Sequence, residues 1–463
     1  LASASSISTT TPGWESRNCR PDGNQRRVLQ DFGHSLTSNA GGAVGEIGGH
    51  ITPAAEPAYY AKAIEPLTLR DRFTAAGSLA CADGAFHVLL GFFNSESINE
   101  WRTPNSIALR LNGRGECFFA YLEYATSRWR AGGDSPRPFP MRSNEAAGTR
   151  TPAGFSTGRQ VHRWSLSYDP EANNGQGAIT ATLDDQTSVC NLEPGHQADG
   201  ATFNRFGLLN IVKSADGGGE LWIDDVTING RTEDFSADPC WEGHQNRREY
   251  ETLNIRPRVD FGFSNTQFAQ GLAPGELGGV VFRGDCRYPD SMAFCADRIG
   301  PLSLDRPIRA RGKVVLKRGV SDSTVLFGFF HDQESMSSNP AQNCGLPRCF
   351  LGVSIEGPSR DGFYFAPACR LSDNAHYCGT NEKPPVIYPD GEPHEWSLEY
   401  EPAASEGRSR ISVKLGDHSV RFDLTEAERA SSTHFNRFGL VTTWIDGNAQ
   451  VVYFDDLTYT ASQ

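Results

Sequence analysis

The feature that most constrains this chain is a stretch that occurs twice. Phe203 to Val226, FNRFGLLNIVKSADGGGELWIDDV, returns as Phe435 to Leu457, FNRFGLVTTWIDGNAQVVYFDDL. Both copies open with FNRFGL, cross a turn that contains glycine, and end on an aromatic-rich strand closed by two aspartates. The match extends outward. HRWSLSYDP at His162 answers HEWSLEYEP at His394, and LLGFFNSES at Leu89 answers LFGFFHDQES at Leu326. GEIGGHI at Gly45 answers GELGGVV at Gly275, and QDFGHS at Gln30 answers VDFGFS at Val259. A constant order and a spacing of about 230 residues define an internal duplication, so the chain must fold as two similar domains in tandem.

The length of 463 residues suits two domains better than one core. The expected layout is a flexible tail at 1–25, a first domain at 26–230, a polar connector at 231–257 pinned by Cys240, and a second domain at 258–463. Strand-like segments dominate. AYYAKAI and LTLRDRFTAAGSLA alternate apolar and polar residues, and further runs of four to ten residues are bounded by Gly, Asn or Pro. Helical periodicity is nearly absent, and DLTEAERASS at Asp423 is the best helical candidate. This pattern predicts an all-β fold, two tandem antiparallel sandwiches.

The strand order ending in an aromatic strand plus Asp-Asp resembles the concanavalin-type, laminin-G-like jelly roll of lectins, glucanases and polysaccharide lyases. The GE(I/L)GG, FNRFGL and DD arrangement is similar to that of secreted carbohydrate-degradation proteins, and the resemblance covers nearly the whole chain, twice. It implies a carbohydrate ligand. The glucanase motif with two glutamates on one strand is missing, so no glucanase mechanism carries over.

Charge and cysteine content narrow the context. A formal charge of −13 disfavours nucleic acid or an anionic membrane surface as partner, and no long apolar run spans a membrane. The chain starts at Leu1, as a processed product does, and has no Asn-x-Ser/Thr sequon. Its 11 cysteines include three closely spaced pairs, Cys286 with Cys295, Cys344 with Cys349 and Cys369 with Cys378, which read as local disulfides. A secreted protein, extracellular or periplasmic, is the expectation.

The acids kept in both halves are Asp31, Glu46 and Asp225, answered by Asp260, Glu276 and Asp456. In jelly rolls such carboxylates hold calcium with backbone oxygens, so a structural Ca2+ in each half is one expectation. Turn chemistry is the plainer one. No organic cofactor is expected.

Residues that differ between the halves carry the stronger functional signal. In the second half Arg283, Asp285 and Arg287 alternate on one face, and Asp297, Asp322, His331, Glu356, Arg360, Tyr364 and Arg370 follow. Asp285, Asp297, Asp322 and Glu356 are candidates for the two carboxyl groups of glycoside hydrolysis. His331 or Tyr364 could serve as the base of a polysaccharide lyase, with Arg283, Arg287, Arg360 and Arg370 neutralising a uronate. Salt-bridged surface strands are the bland alternative. In the first half Trp101, Arg102, Asn105, Arg110, Tyr121 and Glu123 form a possible sugar platform, with Tyr121 and Glu123 on one face and Leu122 and Tyr124 on the other. Trp164 and Trp396 sit identically in HxWSL and read as core. P-loop, dinucleotide and GxSxG signatures are absent. The leading expectation is a glycan-cleaving enzyme, hydrolase or lyase, acting on a polysaccharide or oligosaccharide from its second domain or the domain junction. The alternative is a lectin-like or adhesion protein. The sequence leaves the oligomeric state open.

Overall fold

A computed structural model describes residues 14–19, 25–99, 102–133, 139, 141–144, 149–152, 154–212, 217–253, 259–282, 292–319, 323–337, 345–371, 376–377, 382–405, 407–426, 433–442 and 449–462. Among them the fold is all-β, with two helical turns of four residues, Ala172–Gly175 and His196–Asp199. The chain divides into an N-terminal unit, Gln25–Asn254, and a C-terminal unit, Ile255–Gln463, which also takes in Leu1–Asn24. Each is a two-sheet antiparallel jelly-roll sandwich.

In the N-terminal unit one sheet carries the FNRFGL strand. Its order is Phe155–Ser156, Cys117–Ala125, Ser106–Arg114, His87–Phe93, Thr202–Asn210, Tyr59–Thr68 and Glu242–His244. The second sheet carries the Asp-Asp strand Gly219–Ile228, which lies between Phe73–Cys81 and Glu46–Ile51. The C-terminal unit repeats the plan. Its FNRFGL sheet runs Trp14–Arg17, Phe294–Ser303, His434–Val441, Ser323–Phe330, Phe350–Ser359, Gly362–Arg370 and His376–Tyr377. Its Asp-Asp sheet has Ala449–Tyr459 between Glu276–Phe282 and Ile308–Arg318.

The side-chain period explains these placements. In His162–Asp169, His162, Trp164, Leu166 and Tyr168 are buried and the residues between them are more open. Trp164 stacks near Phe206, and Trp396 meets Phe327 and Phe454 edge-on in the other core. The run LLGFF is apolar without alternation because its strand is buried on both faces. Leu90 and Phe92 enter the main core, while Leu89 and Phe93 join a separate cluster with Tyr59, Ala108 and Leu209.

Three segments differ from the sequence expectation. Trp14–Arg17 lies in the expected tail, yet it pairs with Phe294–Ser303 as an edge strand of the C-terminal unit. The expected connector supplies Glu242–His244 and Arg247–Leu253, each an edge strand of the N-terminal unit. Unpaired backbone at a sheet edge can bind even a short, charged segment, which hydrophobic patterning does not reveal. Asp423 and Leu424, where the helical candidate begins, still belong to the strand His418–Leu424; Glu426 is helical and residues 427–432 lie outside the described residues. Cys240 is an exposed free thiol that pins nothing. Cys349 is also a free thiol. Burial and then Glu334, whose Oε2 lies 3.1 Å from its Sγ, push that thiol up to about 12. Cys295 and Cys369 are buried; Cys286, Cys344 and Cys378 lie outside the described residues.

Candidate functional site

The acids shared by the two halves build the frame. Glu46 is fully buried and its Oε1 accepts from Asn39 N at 2.9 Å and from Thr37, while Oε2 accepts from Ala40 N at 2.7 Å. Glu276 does the same for Thr266, Phe268 N and Ala269 N. Each thus ties together the glycine-rich turn before its own strand. Asp31 and Asp260 are exposed on neighbouring strands. The second aspartate of each pair, Asp225 or Asp456, has a left-handed backbone at a bulge, with φ of 53° and 49°. Its amide is bonded by the first aspartate, Asp224 or Asp455, at 2.7 Å in both halves.

The cation that holds the second aspartate changes strands between the halves. Asp225 pairs with Arg163 at 2.7 Å, and Asp456 with Lys313 at 3.1 Å. Where the first half has Arg163 and Ser78, the second has Glu395 and Lys313. Such a compensated exchange is the mark of a structural pair. Of the six acids expected to bind calcium, Glu46 and Glu276 thus act as turn caps and Asp225 and Asp456 as bulge partners. Among the described residues no three His, Cys, Asp or Glu side chains converge as a metal site.

Asp224 and Asp455, which sequence reasoning passed over, are the perturbed acids of the frame. Burial, then Asp456 and Glu276 nearby, raise Asp455 from 3.8 to about 6; burial, then Asp225 and Glu46, also push the Asp224 carboxyl upward. The Oδ2 of each is buried without a hydrogen-bond partner. Asp455 borders a cleft of ≈ 610 Å³ with Trp396, Arg311, Lys313 and Asp456. Both aspartates of each pair hold identical places in the two copies, so no sequence signal singles out the first.

The second-half candidates do not gather into one site. Asp285, Asp322, Arg283 and Arg287 lie outside the described residues. Asp297 faces the sandwich interior, where its Oδ2 accepts from Tyr459 at 2.6 Å and burial raises its carboxyl. It stands three strand ladders, about 14 Å, from the strand of Glu356. His331 follows the opposite end of Ser323–Phe330 from Thr324, the register partner of Glu356, and its Nδ1 accepts from Gln333 N and Glu334 N at the start of a turn. Arg370 is buried with Nη1 on Leu346 O at 2.8 Å. Arg360 is exposed at the turn after Phe350–Ser359. Glu356 and Tyr364 are direct cross-strand partners on the face away from the core. The Tyr364 hydroxyl donates to Asp361, which also meets Lys383 at 2.6 Å.

The first-half candidates do converge. Ile107, Leu109 and Leu111 point into the core, which leaves Ala108 and Arg110 on the other face of Ser106–Arg114. By the same alternation Tyr121 and Glu123 emerge from Cys117–Ala125 on that face, as expected. Arg110 is cross-strand from Tyr121 and from Leu89. Its Nε donates to Glu123 Oε1 at 2.7 Å, and its guanidinium lies 3.8 Å above the Tyr121 ring. A guanidinium only donates, so His87 Nε2, 3.1 Å from Arg110 Nη1, is the acceptor and carries no proton there. Arg102 approaches the same Glu123 oxygen at 3.9 Å. His87, Arg110 and Glu123 are each at least 95% buried. Glu123 Oε2 is buried and has no hydrogen-bond partner.

Asn105 serves the frame, accepting from Thr202 N at 3.0 Å, and Trp101 lies outside the described residues. The equivalents of His87, Arg110 and Glu123 in the C-terminal unit are Thr324, Ser354 and Ala368, by the matched register of the two sheets. The charged cluster thus belongs to one half alone. Sequence reasoning named Arg110, Tyr121 and Glu123 but missed His87, which is separated from them in sequence and joined only by register.

No family model and no curated protein matches this chain. Among solved structures it is similar to mouse laminin alpha1 chain domains LG4-5, 12% identical, covering 96% of this chain and 93% of that one with a TM-score of 0.21. It is also similar to a mutant of the GH43 protein BlXynB from Bacillus licheniformis, 10% identical over 98% and 99% of the chains with a TM-score of 0.25. The botulinum neurotoxin serotype C1 binding domain matches at 8% identity over 90% and 94%, with a TM-score of 0.22. Scores this low lend this chain neither a residue nor an activity. No described helix is long and apolar enough to cross a membrane.

Proposed function

We propose that this chain recognises carbohydrate through the outer face of the FNRFGL sheet in its N-terminal unit. The observation that carries the reading is Glu123 Oε2, a carboxylate oxygen buried with no donor beside an arginine that is stacked on tyrosine. A buried acceptor without a donor costs free energy, and a sugar hydroxyl supplies the missing hydrogen. Arg110 fixes the carboxylate, and the partly open Tyr121 ring offers an apolar edge to a pyranose. Confinement to one half also supports a ligand role, since frame contacts are kept in both.

The test is binding to immobilised neutral, uronic and sulfated glycans. Glu123→Gln and, separately, Tyr121→Ala are expected to weaken the retained glycan at least tenfold. Tyr121→Ala leaves the Arg110–Glu123 pair in place, so its thermal melt checks the fold. Unchanged binding by both variants sinks the reading.

Cleavage is the second reading, favoured by the Glu356–Tyr364 cross-strand pair on the corresponding face of the C-terminal unit, beside the unpartnered Thr324 hydroxyl. The same glycan panel decides it. New reducing ends or unsaturated-uronate absorbance, lost in Tyr364→Phe, establish turnover, and silence leaves recognition alone.

A further inference from the structure

The two edge strands that the sequence reading missed are copies of each other. Trp14-Glu15 follows Pro12 by the same spacing as Trp241-Glu242 follows Pro239. Each strand sits at the end of its FNRFGL sheet. Glu15 is opposite Ala296, which is opposite Gly439; Glu242 is opposite Ala61, which is opposite Gly207. Both glycines are the fifth residue of FNRFGL, so the register is identical. The chemistry matches too. Glu15 Oε1 takes Arg437 Nε and Glu242 Oε2 takes Arg205 Nη2, each at 2.5 Å, and both arginines are the third residue of that motif. Arg298 adds a second cation to Glu15 at 3.1 Å.

Only the connectivity differs. Glu242 lies 37 residues from its arginine and follows the sandwich it completes. Glu15 lies 422 residues from its arginine and precedes the whole N-terminal unit. The C-terminal sheet edge is thus closed by a strand from a remote part of the chain. The contact is small. Among the described residues it includes four paired residues, the ion pairs of Glu15, and side bonds from Asn18 to Met292 O at 2.8 Å and from Cys19 to Phe294 O.

We propose that residues 14–18 are a detachable donor strand, and that the Phe294–Ser303 edge accepts the same strand from a second copy of this chain. Two copies then exchange these strands reciprocally, each closing the other's C-terminal sheet through Glu15 and Arg437. This is strand addition to an open edge with charge-based selection, and its swapped form keeps every contact of the closed form.

The charges give the test. Glu15→Arg places three cations together, and Arg437→Glu places three carboxylates together because Asp332 also pairs with Arg437 at 2.8 Å, so each variant repels its own strand. Mixed one to one, the two chains regain both ion pairs only by exchange. Light scattering after chromatography is expected to show a one-to-one dimer in the mixture and monomer for each variant alone. A mixture that stays monomeric overturns the proposal. A labelled peptide of residues 12–19 provides a second measurement that needs no second chain. It is expected to bind Glu15→Arg saturably, and the peptide with arginine at the glutamate position to bind Arg437→Glu. No binding to either variant, or binding indifferent to these charges, overturns it as well.

Discussion

Asp455 shows how far one carboxyl can set the pH behaviour of a fold. Its proton is held to about 6 in the folded chain and released near 3.8 in the unfolded one. Below about pH 4 both states are protonated and the group costs nothing. Between about 4 and 6 the unfolded state loses its proton first, so stability falls with rising pH and then levels off. The loss is at most on the order of 3 kcal/mol, since each pKa unit corresponds to about 1.4 kcal/mol and solvent in the adjoining cleft screens part of it. Asp455→Asn keeps the oxygen that accepts the Asp456 amide and removes the charge. Urea unfolding is expected to show no gain over wild type near pH 4 and a gain of that order at pH 7.5. A variant that is equally or less stable at pH 7.5 contradicts the assignment. The sequence pointed to the second aspartate of each pair as the functional one. It is the first that is buried, because the bulge turns the second outward. Nothing in two adjacent identical letters distinguishes them.

At the scale of elements, the bulge in the Asp-Asp strand makes a prediction of its own. A left-handed residue tolerates glycine and resists β-branching. Asp225→Gly loses an exposed pair with Arg163, worth about 0–1 kcal/mol, and relieves about as much backbone strain. Its Tm is expected to stay within a few degrees of wild type. Asp225→Val is expected to cost about 2 kcal/mol or more. Equal melting of the two variants would mean that the bulge is not held by this backbone angle.

The sandwich strands were legible because hydrophobic period and duplication both wrote them, as in His162–Asp169. The edge strands Trp14–Arg17 and Glu242–His244 were not, because their pairing rests on backbone groups and on arginines far away in sequence. The candidate site was half legible. Tyr121 and Glu123 share a strand face that can be counted, whereas His87 reaches Arg110 only through ladder register. Repetition marks structure and asymmetry marks function. That rule points to the N-terminal unit rather than the second half, where charged insertions were more numerous.

For the whole molecule, Glu46, Glu276, Asp225 and Asp456, four of the acids shared by both sandwiches, are engaged with protein donors or cations. Incubation with a chelator is therefore expected to leave the melting temperature unchanged in both units. A fall of several degrees that calcium restores would require ligands outside the described residues. The seating of Trp14–Arg17 has a further, mechanical consequence. Both this strand and Ala449–Tyr459 belong to the C-terminal unit, while the N-terminal unit occupies the chain between them. A pull applied between residue 14 and residue 459 therefore passes through the C-terminal sandwich and bypasses residues 25–254. Only when the four ladder pairs of the edge strand part does tension reach the unit that carries Glu123. The short strand thus acts as a mechanical fuse that shields the proposed binding face from load.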